Sequence, residues 1–155
     1  MTRYANKTSV PEEKSRMDLE RLLVRYGADQ FIYGWKDGEA VVQFMFDSIP
    51  VKIRVPLPSK DDPEFTTTAT GREKGDNAAL KAWEQSKRTV WRAMLLIIQA
   101  KFEAILMGAA TFESEFLAYM MLPGGSTIGE RVIPQLSMAL AQGSLPMLTD
   151  GKNRA

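Results

Sequence analysis

The chain has 155 residues, of which 45% are hydrophobic and 25% are charged, and this is the composition of one ordinary globular domain. Its 20 basic and 19 acidic side chains leave a net charge of +1, and it contains neither Cys nor His. These two absences exclude a Cys nucleophile, a Ser-His-Asp triad, a His general base, disulfides and the usual Cys/His zinc sites.

The first predicted element is a helix over about residues 10–26. Ser9 and Glu12 have the spacing of a capping box, and Pro11 suits a first helical turn because its missing amide would be unpaired there. Gly27 is a natural stop. A partial apolar stripe predicts the buried side of this helix: Met17, Leu19, Leu22, Leu23 and Tyr26.

A three-stranded antiparallel meander is predicted next, with strands over residues 30–35, 39–46 and 51–55. The third strand alternates strictly, so Lys52 and Arg54 should share a polar face opposite an apolar one. Pro50 and Pro56 bracket this strand, and a proline cannot donate within a sheet. We therefore expect the third strand at an edge of the sheet, or stopped sharply at both ends.

Residues 57–76 are predicted to be a loop, and residues 77–148 to be helical. A helix over 78–107, single or bent, has apolar residues at helical spacing from Leu80 to Ile105. Thr111 should cap a following helix. A last helix, about 127–142, is expected to turn four residues inward: Ile128, Val132, Leu136 and Leu140.

The predicted fold class is therefore α+β, with an N-terminal helix, a three-stranded antiparallel β-meander and a predominantly helical C-terminal half. We expect one domain over residues 1–155, in which residues 10–56 form the helix and meander. The same order of elements occurs in small nucleic-acid-binding domains, although a shared fold does not fix a function.

A basic stretch lies within the neutral total. Residues 72–101 carry seven basic and three acidic side chains, whereas residues 102–150 carry one and five. Lys81, Arg88 and Arg92 fall on one helix face, where they could contact a nucleic-acid backbone, with Arg72 and Lys74 adding charge from the loop. The alternative is an ordinary solvated helix face.

Lys52 and Arg54 form a second candidate patch on the polar face of the meander. If Tyr33 or Trp35 lay beside them, the sheet could stack single-stranded bases. The alternative is that these aromatic side chains face the helices and pack in the core.

Methionine is concentrated in the C-terminal half, where it either fills gaps in the core or, if exposed, marks a protein-binding groove or a self-association face. Carboxylates are less informative. Asp61, Asp62 and Glu64 sit together on the loop and could take Mg²⁺ through oxygen, but no acid-base constellation accompanies them. We therefore predict no enzymatic activity, no cofactor and no metal site.

Several segments together resemble a widespread family of small tailed-phage and prophage accessory proteins. The resemblance covers about residues 4–148 and rests on Thr8–Val10, Arg25–Ala28 with Tyr33–Trp35, Ala82–Gln85 with Trp91–Ala93, Lys101–Ala104, Thr111–Leu117 and Leu122–Gly125. It implies a phage protein made in a bacterial host, and it assigns no catalytic residue.

The leading hypothesis is a non-enzymatic phage accessory protein that binds DNA or RNA, with a role in phage replication or recombination. The alternative is a protein-binding module, such as an inhibitor of a host defence complex or a phage assembly factor. A homo-oligomer is possible in either case. No run of about 20 apolar residues is free of charge, so we expect the host cytoplasm and no membrane partner.

Overall fold

Three antiparallel strands form a sheet in the order β1-β2-β3, with helices before and after it in the chain. The computed structural model describes residues 8–36 and 38–143. The elements are α1 (Glu12–Arg25), β1 (Asp29–Lys36), β2 (Glu39–Phe46), β3 (Ile49–Pro56), α2 (Pro63–Thr66), α3 (Asp76–Leu106), α4 (Phe112–Phe116), a 3₁₀ turn (Leu117–Tyr119) and α5 (Ile128–Ala141). The predicted α+β class is confirmed. Residues 144–148 of the predicted helical part lie outside the described residues.

The two faces of the sheet have different surroundings. Val42, Phe44 and Val51 are fully or almost fully buried and share one apolar core with residues of α1, α3 and α4. Lys52 and Arg54 of β3 lie opposite Gln43 and Val41 of β2. Because side chains alternate along a strand, these four residues belong to the other face of the sheet. We call the face that carries Val41, Gln43, Lys52 and Arg54 the outer sheet face.

The predicted position of β3 is correct, but its predicted length is too short. β3 lies at an edge of the sheet and runs from Ile49 to Pro56, so both prolines belong to the strand. A proline is tolerated there because an edge strand has one side without ladder hydrogen bonds. A later part of the chain contacts the start of β3, where the amide of Met121 donates a hydrogen bond to the carbonyl of Pro50 at 2.8 Å.

The start of α1 differs from the prediction. The helix begins at Glu12 with Pro11 as its N-cap, and no side chain caps it, so Ser9 does not form the expected capping box. Leu19 and Leu23 are buried as predicted, whereas Met17 is exposed. Gly27 ends the helix with a φ of +87°, a conformation in which a residue with a Cβ would be strained.

The long helix α3 is unbroken over 31 residues, which corresponds to about 46 Å at about 1.5 Å per residue. Its middle packs on the sheet through Trp91, Met94 and Ile98, and further along Phe102 enters a cluster of aromatic rings. Leu80 is exposed, contrary to the predicted stripe, because the start of α3 runs beside the 57–76 segment rather than across the sheet.

The 57–76 segment carries more structure than the predicted loop. It contains the short helix α2, whose Phe65 is buried, and a bridge between Thr67 and Glu73. The indole Nε1 of Trp83 donates to the carbonyl of Pro58 at 3.0 Å and so ties the segment to α3. One buried aromatic residue and these hydrogen bonds suffice to fold a stretch whose composition is that of a linker.

Two neighbouring residues test the aromatic core. Phe116 is 0% exposed and Leu117 is 52% exposed. We expect Phe116→Ala to lower the free energy of unfolding by about 3–5 kcal/mol, because truncating a buried phenylalanine leaves a cavity. Leu117→Ala should cost less than about 1 kcal/mol. Urea denaturation of both variants measures the difference, and equal losses would contradict the assignment of the core.

Candidate functional site

The first turn of α5 is fixed to the body of the protein. The hydroxyl of Thr127 accepts from the amide of Glu130 at 3.1 Å, and the Glu130 carboxylate accepts from the amide of Thr127 at 2.8 Å. This reciprocal pair is a capping box. Gly129 lies so close to Ala118 that an added Cβ would be 2.7 Å from the Ala118 carbonyl oxygen. The helix therefore starts at one defined place on the 3₁₀ turn.

Beyond its first turn, α5 leaves the body of the protein. From Arg131 to Leu140 every side chain is exposed except that of Ala139. Four large apolar residues that share one side of the helix form what we call the α5 apolar face: Val132 (49% exposed), Ile133 (57%), Leu136 (45%) and Leu140 (57%).

The inward orientation predicted for α5 is therefore wrong for Val132, Leu136 and Leu140. Their four-residue spacing does place them on one side of a helix, as expected. That side meets no core, because only the first turn of α5 reaches the 3₁₀ turn and β3. Pro134 neither ends nor delays the helix, which continues through it.

A groove runs between α5 and the outer sheet face. Its part nearest the helix encloses about 340 Å³ and is lined mainly by apolar side chains, including Tyr119, Ile133 and Pro134. A second part, of about 360 Å³, continues over the sheet past Ile32 and Val41. Lys52 and Arg54 line both parts. We call the two parts together the outer-sheet groove.

The two predicted basic residues of β3 are already engaged in this groove. Lys52 is 5% exposed, and its ammonium group donates to the carbonyl of Gly125. The Arg54 guanidinium lies 3.5 Å from the carboxylate of Glu39 and 3.5 Å from that of Glu130. Both residues thus hold the segment before α5, and the start of α5, against the sheet.

The carboxyl of Glu130 has a shifted acidity. The hydrogen bond from the Thr127 amide holds the pKa of Glu130 below its ordinary value of 4.5, and the positive charges of Lys52 and Arg54 act in the same direction. Partial burial opposes the shift. A lowered pKa means that the folded state favours the charged form, so this contact stabilises the start of α5 wherever Glu130 is ionised.

The basic residues of α3 lie on the other side of the molecule. Because α3 packs on the inner side of the sheet, Lys81, Arg88 and Arg92 form no common patch with Lys52 and Arg54. Arg88 donates to Gln85 through Nε at 3.1 Å and Nη2 at 2.8 Å. For Lys81 and Arg92 the described part of the chain contains no ion-pair partner.

Arg72 and Lys74, the two predicted basic residues of the 57–76 segment, lie apart from both the outer sheet face and the α3 stripe. Lys74 donates to the carbonyl of Glu64 at 3.2 Å, which fixes it to α2. Arg72 is exposed and directly precedes Glu73, which forms a β-bridge with Thr67. The seven basic residues singled out in the sequence therefore divide into a pair on the outer sheet face, a stripe on α3 and two residues near α2.

The aromatic residues proposed for base stacking belong to the inner side of the sheet. Tyr33 meets Trp91 edge to face, with ring centroids 6.2 Å apart. The guanidinium of Arg16 lies 5.2 Å from the Tyr33 ring and 5.7 Å from the Trp35 ring. These contacts place both rings at the β1 edge, on the side of the sheet that faces α1 and α3, where Tyr33 is 42% and Trp35 58% exposed. Both residues also line the sheet part of the outer-sheet groove together with Lys52 and Arg54.

The methionine residues fall into both predicted classes. Met94 is buried in the core, whereas Met107 and Met138 are 80% and 62% exposed. In residues 8–36 and 38–143 no three carboxylates gather where they could hold a metal ion. None of the helices in this part of the chain has the length and hydropathy that a bilayer crossing requires.

Comparison of the chain with protein-family models, with curated proteins and with solved structures yields no match.

A pH titration tests how α5 is anchored. We expect the Glu130 carboxyl to titrate below 4.5 and the Arg54→Met variant to move its pKa upward. Because the folded pKa is lowered, the stabilisation is present above the unfolded value and is lost as pH falls through the folded one. Carboxyl NMR chemical shifts measure both pKa values, and a Glu130 pKa at or above 4.5 would contradict the anchoring.

Proposed function

We propose that this chain is a non-enzymatic protein-binding module and that the α5 apolar face is its contact surface. The observation that carries the proposal is the exposure of four large apolar side chains on one side of a helix whose first turn, among the described residues, is held by the capping box and by Ala118. An amphipathic helix normally covers its apolar side with its own core. Large exposed apolar patches in folded proteins mark surfaces that other molecules cover.

The composition of α5 supports a protein partner rather than nucleic acid or lipid. Between Val132 and Thr149 the chain has no Asp, Glu, Lys or Arg. Nucleic-acid contacts depend on cations that neutralise phosphates, and helices that lie on lipid surfaces carry Lys and Arg on their polar side. A helical segment that is apolar and uncharged, as α5 is after Arg131, suits the groove of a protein, where i, i+4 side chains act as anchors.

The resemblance to phage accessory proteins supplies the setting of the proposal, which is binding to a phage or host protein inside an infected bacterium. The absence of Cys and His from the chain supports the non-enzymatic part of the proposal, since a strongly nucleophilic thiol and the most frequent general acid–base side chain are both missing.

Photo-crosslinking tests the proposal. A photoreactive residue at Leu136, in the chain expressed in a bacterial host, should give a protein adduct of one defined mass. The control is the same residue at Met138, which is 62% exposed on the same helix but about 200° further round it. If position 136 gives no protein adduct beyond those from position 138, the proposed function is wrong.

Nucleic-acid binding through α3 is a second candidate. It is favoured by Lys81 and Arg92, which lie on one helix face and pair with no acidic side chain among the described residues. Arg88 completes the stripe, and Arg72 lies exposed before the helix. Lys52 and Arg54 would contribute little, since their charges are already satisfied within the outer-sheet groove.

A double variant tests this candidate. We expect Lys81→Gln with Arg92→Gln to weaken binding to a DNA or RNA probe at low salt by about tenfold, and to reduce the slope of log affinity against log salt by about 1–2. Lys14→Gln, which changes an exposed lysine on α1, should leave both values unchanged. A wild-type chain that binds neither single- nor double-stranded probes at low salt would rule the candidate out.

A further inference from the structure

A cavity lies between the 57–76 segment and the first half of α3. It encloses about 450 Å³, and its apolar lining comes from Leu57, Phe65 and Val90. Phe65 of α2 is itself only 4% exposed. We call this space the α2–α3 cavity. It shares no lining residue with the outer-sheet groove, so it is a separate site.

The hydroxyl groups that line the α2–α3 cavity are already bonded within α3. The Ser86 hydroxyl donates to the carbonyl of Trp83 at 2.6 Å. The Thr89 hydroxyl donates to the carbonyl of Gln85 at 3.0 Å. Covering a polar group is costly when its hydrogen bond is lost. An aromatic side chain can therefore cover this wall of the cavity without leaving either hydroxyl unsatisfied.

The 57–76 side of the cavity is acidic. Glu64 lines the cavity, and its carboxylate forms no ion pair within the described part of the chain. Lys74 donates to the main-chain carbonyl of Glu64 instead. Residues 57–66 carry three acidic side chains and one basic side chain. Charge complementarity therefore favours an occupant that is positively charged.

The N-terminal part of the chain is tied to the wall of this cavity. The side-chain amide of Gln85, which lines the cavity, donates to the carbonyl of Thr8 at 2.7 Å. Four residues further along, Glu12 lies 3.9 Å from Lys87, whose ammonium group is 6.0 Å from the Trp35 ring on the sheet. From Glu12 back to Thr8 the chain thus passes from the sheet side of α3 to the cavity.

Residues 1–7 have the length and the charge that the cavity requires. Fully extended, they span about 23 Å at about 3.3 Å per residue. The cavity wall formed by residues 82–90 of α3 is shorter, about 12 Å at about 1.5 Å per residue. Residues 1–7 carry two basic side chains, Arg3 and Lys7, and no acidic one. Tyr4 supplies an aromatic ring with a polar end, which suits a wall that is apolar in one part and polar in another.

We propose that residues 1–7 bind in the α2–α3 cavity of their own chain, with Tyr4 against the apolar lining and Arg3 beside Glu64. The cavity is then a peptide-binding site whose occupant is tethered at Thr8. An outside peptide must compete with that occupant, because a short tether gives it an effective concentration of about 1 mM or more. The inference goes beyond the proposed function, since it uses neither α5 nor the outer-sheet groove.

Nuclear Overhauser effects in the full chain test the contact directly. We expect cross-peaks between the Tyr4 ring and the methyl groups of Leu57 and Val90, because bound residues 1–7 bring these protons together. The Tyr26 ring, which stacks on Phe102, is the internal control and should give no cross-peak to either methyl group. In a mixture of labelled and unlabelled chains the Tyr4 cross-peaks should stay within one chain. Their absence, or their appearance between two chains, would overturn the inference.

A peptide with the sequence of residues 1–8 provides a second test. We expect it to bind the full chain carrying Tyr4→Ser at least tenfold more tightly than the wild type, where the tethered segment competes. Amide chemical shifts of Phe65 and Val90 report the binding. Arg3→Glu should shift the affinity in the same direction, since it places a second carboxylate beside Glu64.

The matched control is a peptide with the same Tyr4→Ser change, which should bind at least tenfold more weakly to the Tyr4→Ser chain. Wild-type peptide that binds both chains equally, or neither of them, would show that residues 1–7 do not occupy the cavity.

Discussion

The packing of the helices on the sheet depends on one cluster of aromatic rings around Phe102. Its ring on α3 stacks on Tyr26 at the end of α1, with centroids 4.5 Å apart, and lies 5.3 Å from Phe116 of α4. Phe44 and Phe46 of β2 complete the set at 6.2 Å and 6.0 Å. One side chain therefore joins the first helix, the sheet, the long helix and α4. Since α4 leads through the 3₁₀ turn to the hydrogen bond between Met121 and Pro50, these rings also determine where α5 begins.

Local patterns were sufficient for most of the fold. The two-residue period of β3 correctly separated Lys52 and Arg54 from the core, and the glycine at 27 correctly ended α1. The capping box of α5 was not predicted, although Thr127 and Glu130 have the required spacing. In contrast, Ser9 has the same spacing to Glu12 and forms no cap, since α1 begins at Glu12 with Pro11 as its N-cap. A short spacing signal shows that a cap is possible, and tertiary contacts decide whether it forms.

The candidate site could not be predicted in the same way. The four-residue spacing of Val132, Leu136 and Leu140 identifies a shared side of a helix, but it carries no information on what lies opposite. Likewise, the alternation of β3 cannot show that the Lys52 ammonium group donates a hydrogen bond to the carbonyl of Gly125, which is 73 positions further along the chain. The signal that was available is the long uncharged stretch after Arg131, which is unusual for a solvent-exposed helix.

The charge distribution now has a structural explanation. On the outer sheet face the cations hold the start of α5 in place, whereas on α3 Lys81 and Arg92 remain unpaired among the described residues. Within the basic stretch, Lys81, Arg88 and Arg92 share one face of α3, whereas Lys87 and Lys101 pair with Glu12 and Glu115. The near-neutral total charge therefore conceals a stripe of cations on α3 that lies apart from Lys52 and Arg54.

The exposure of α5 also bears on how such a protein changes over generations. Residues in the aromatic cluster are constrained by packing, because a cavity or an extra methylene there is costly. Val132, Leu136 and Leu140 are free of that constraint, since exposed positions tolerate substitution with little change in folding free energy. On the proposed function, mutations in a few codons of α5 can therefore alter what the chain binds while the domain that carries the helix stays folded.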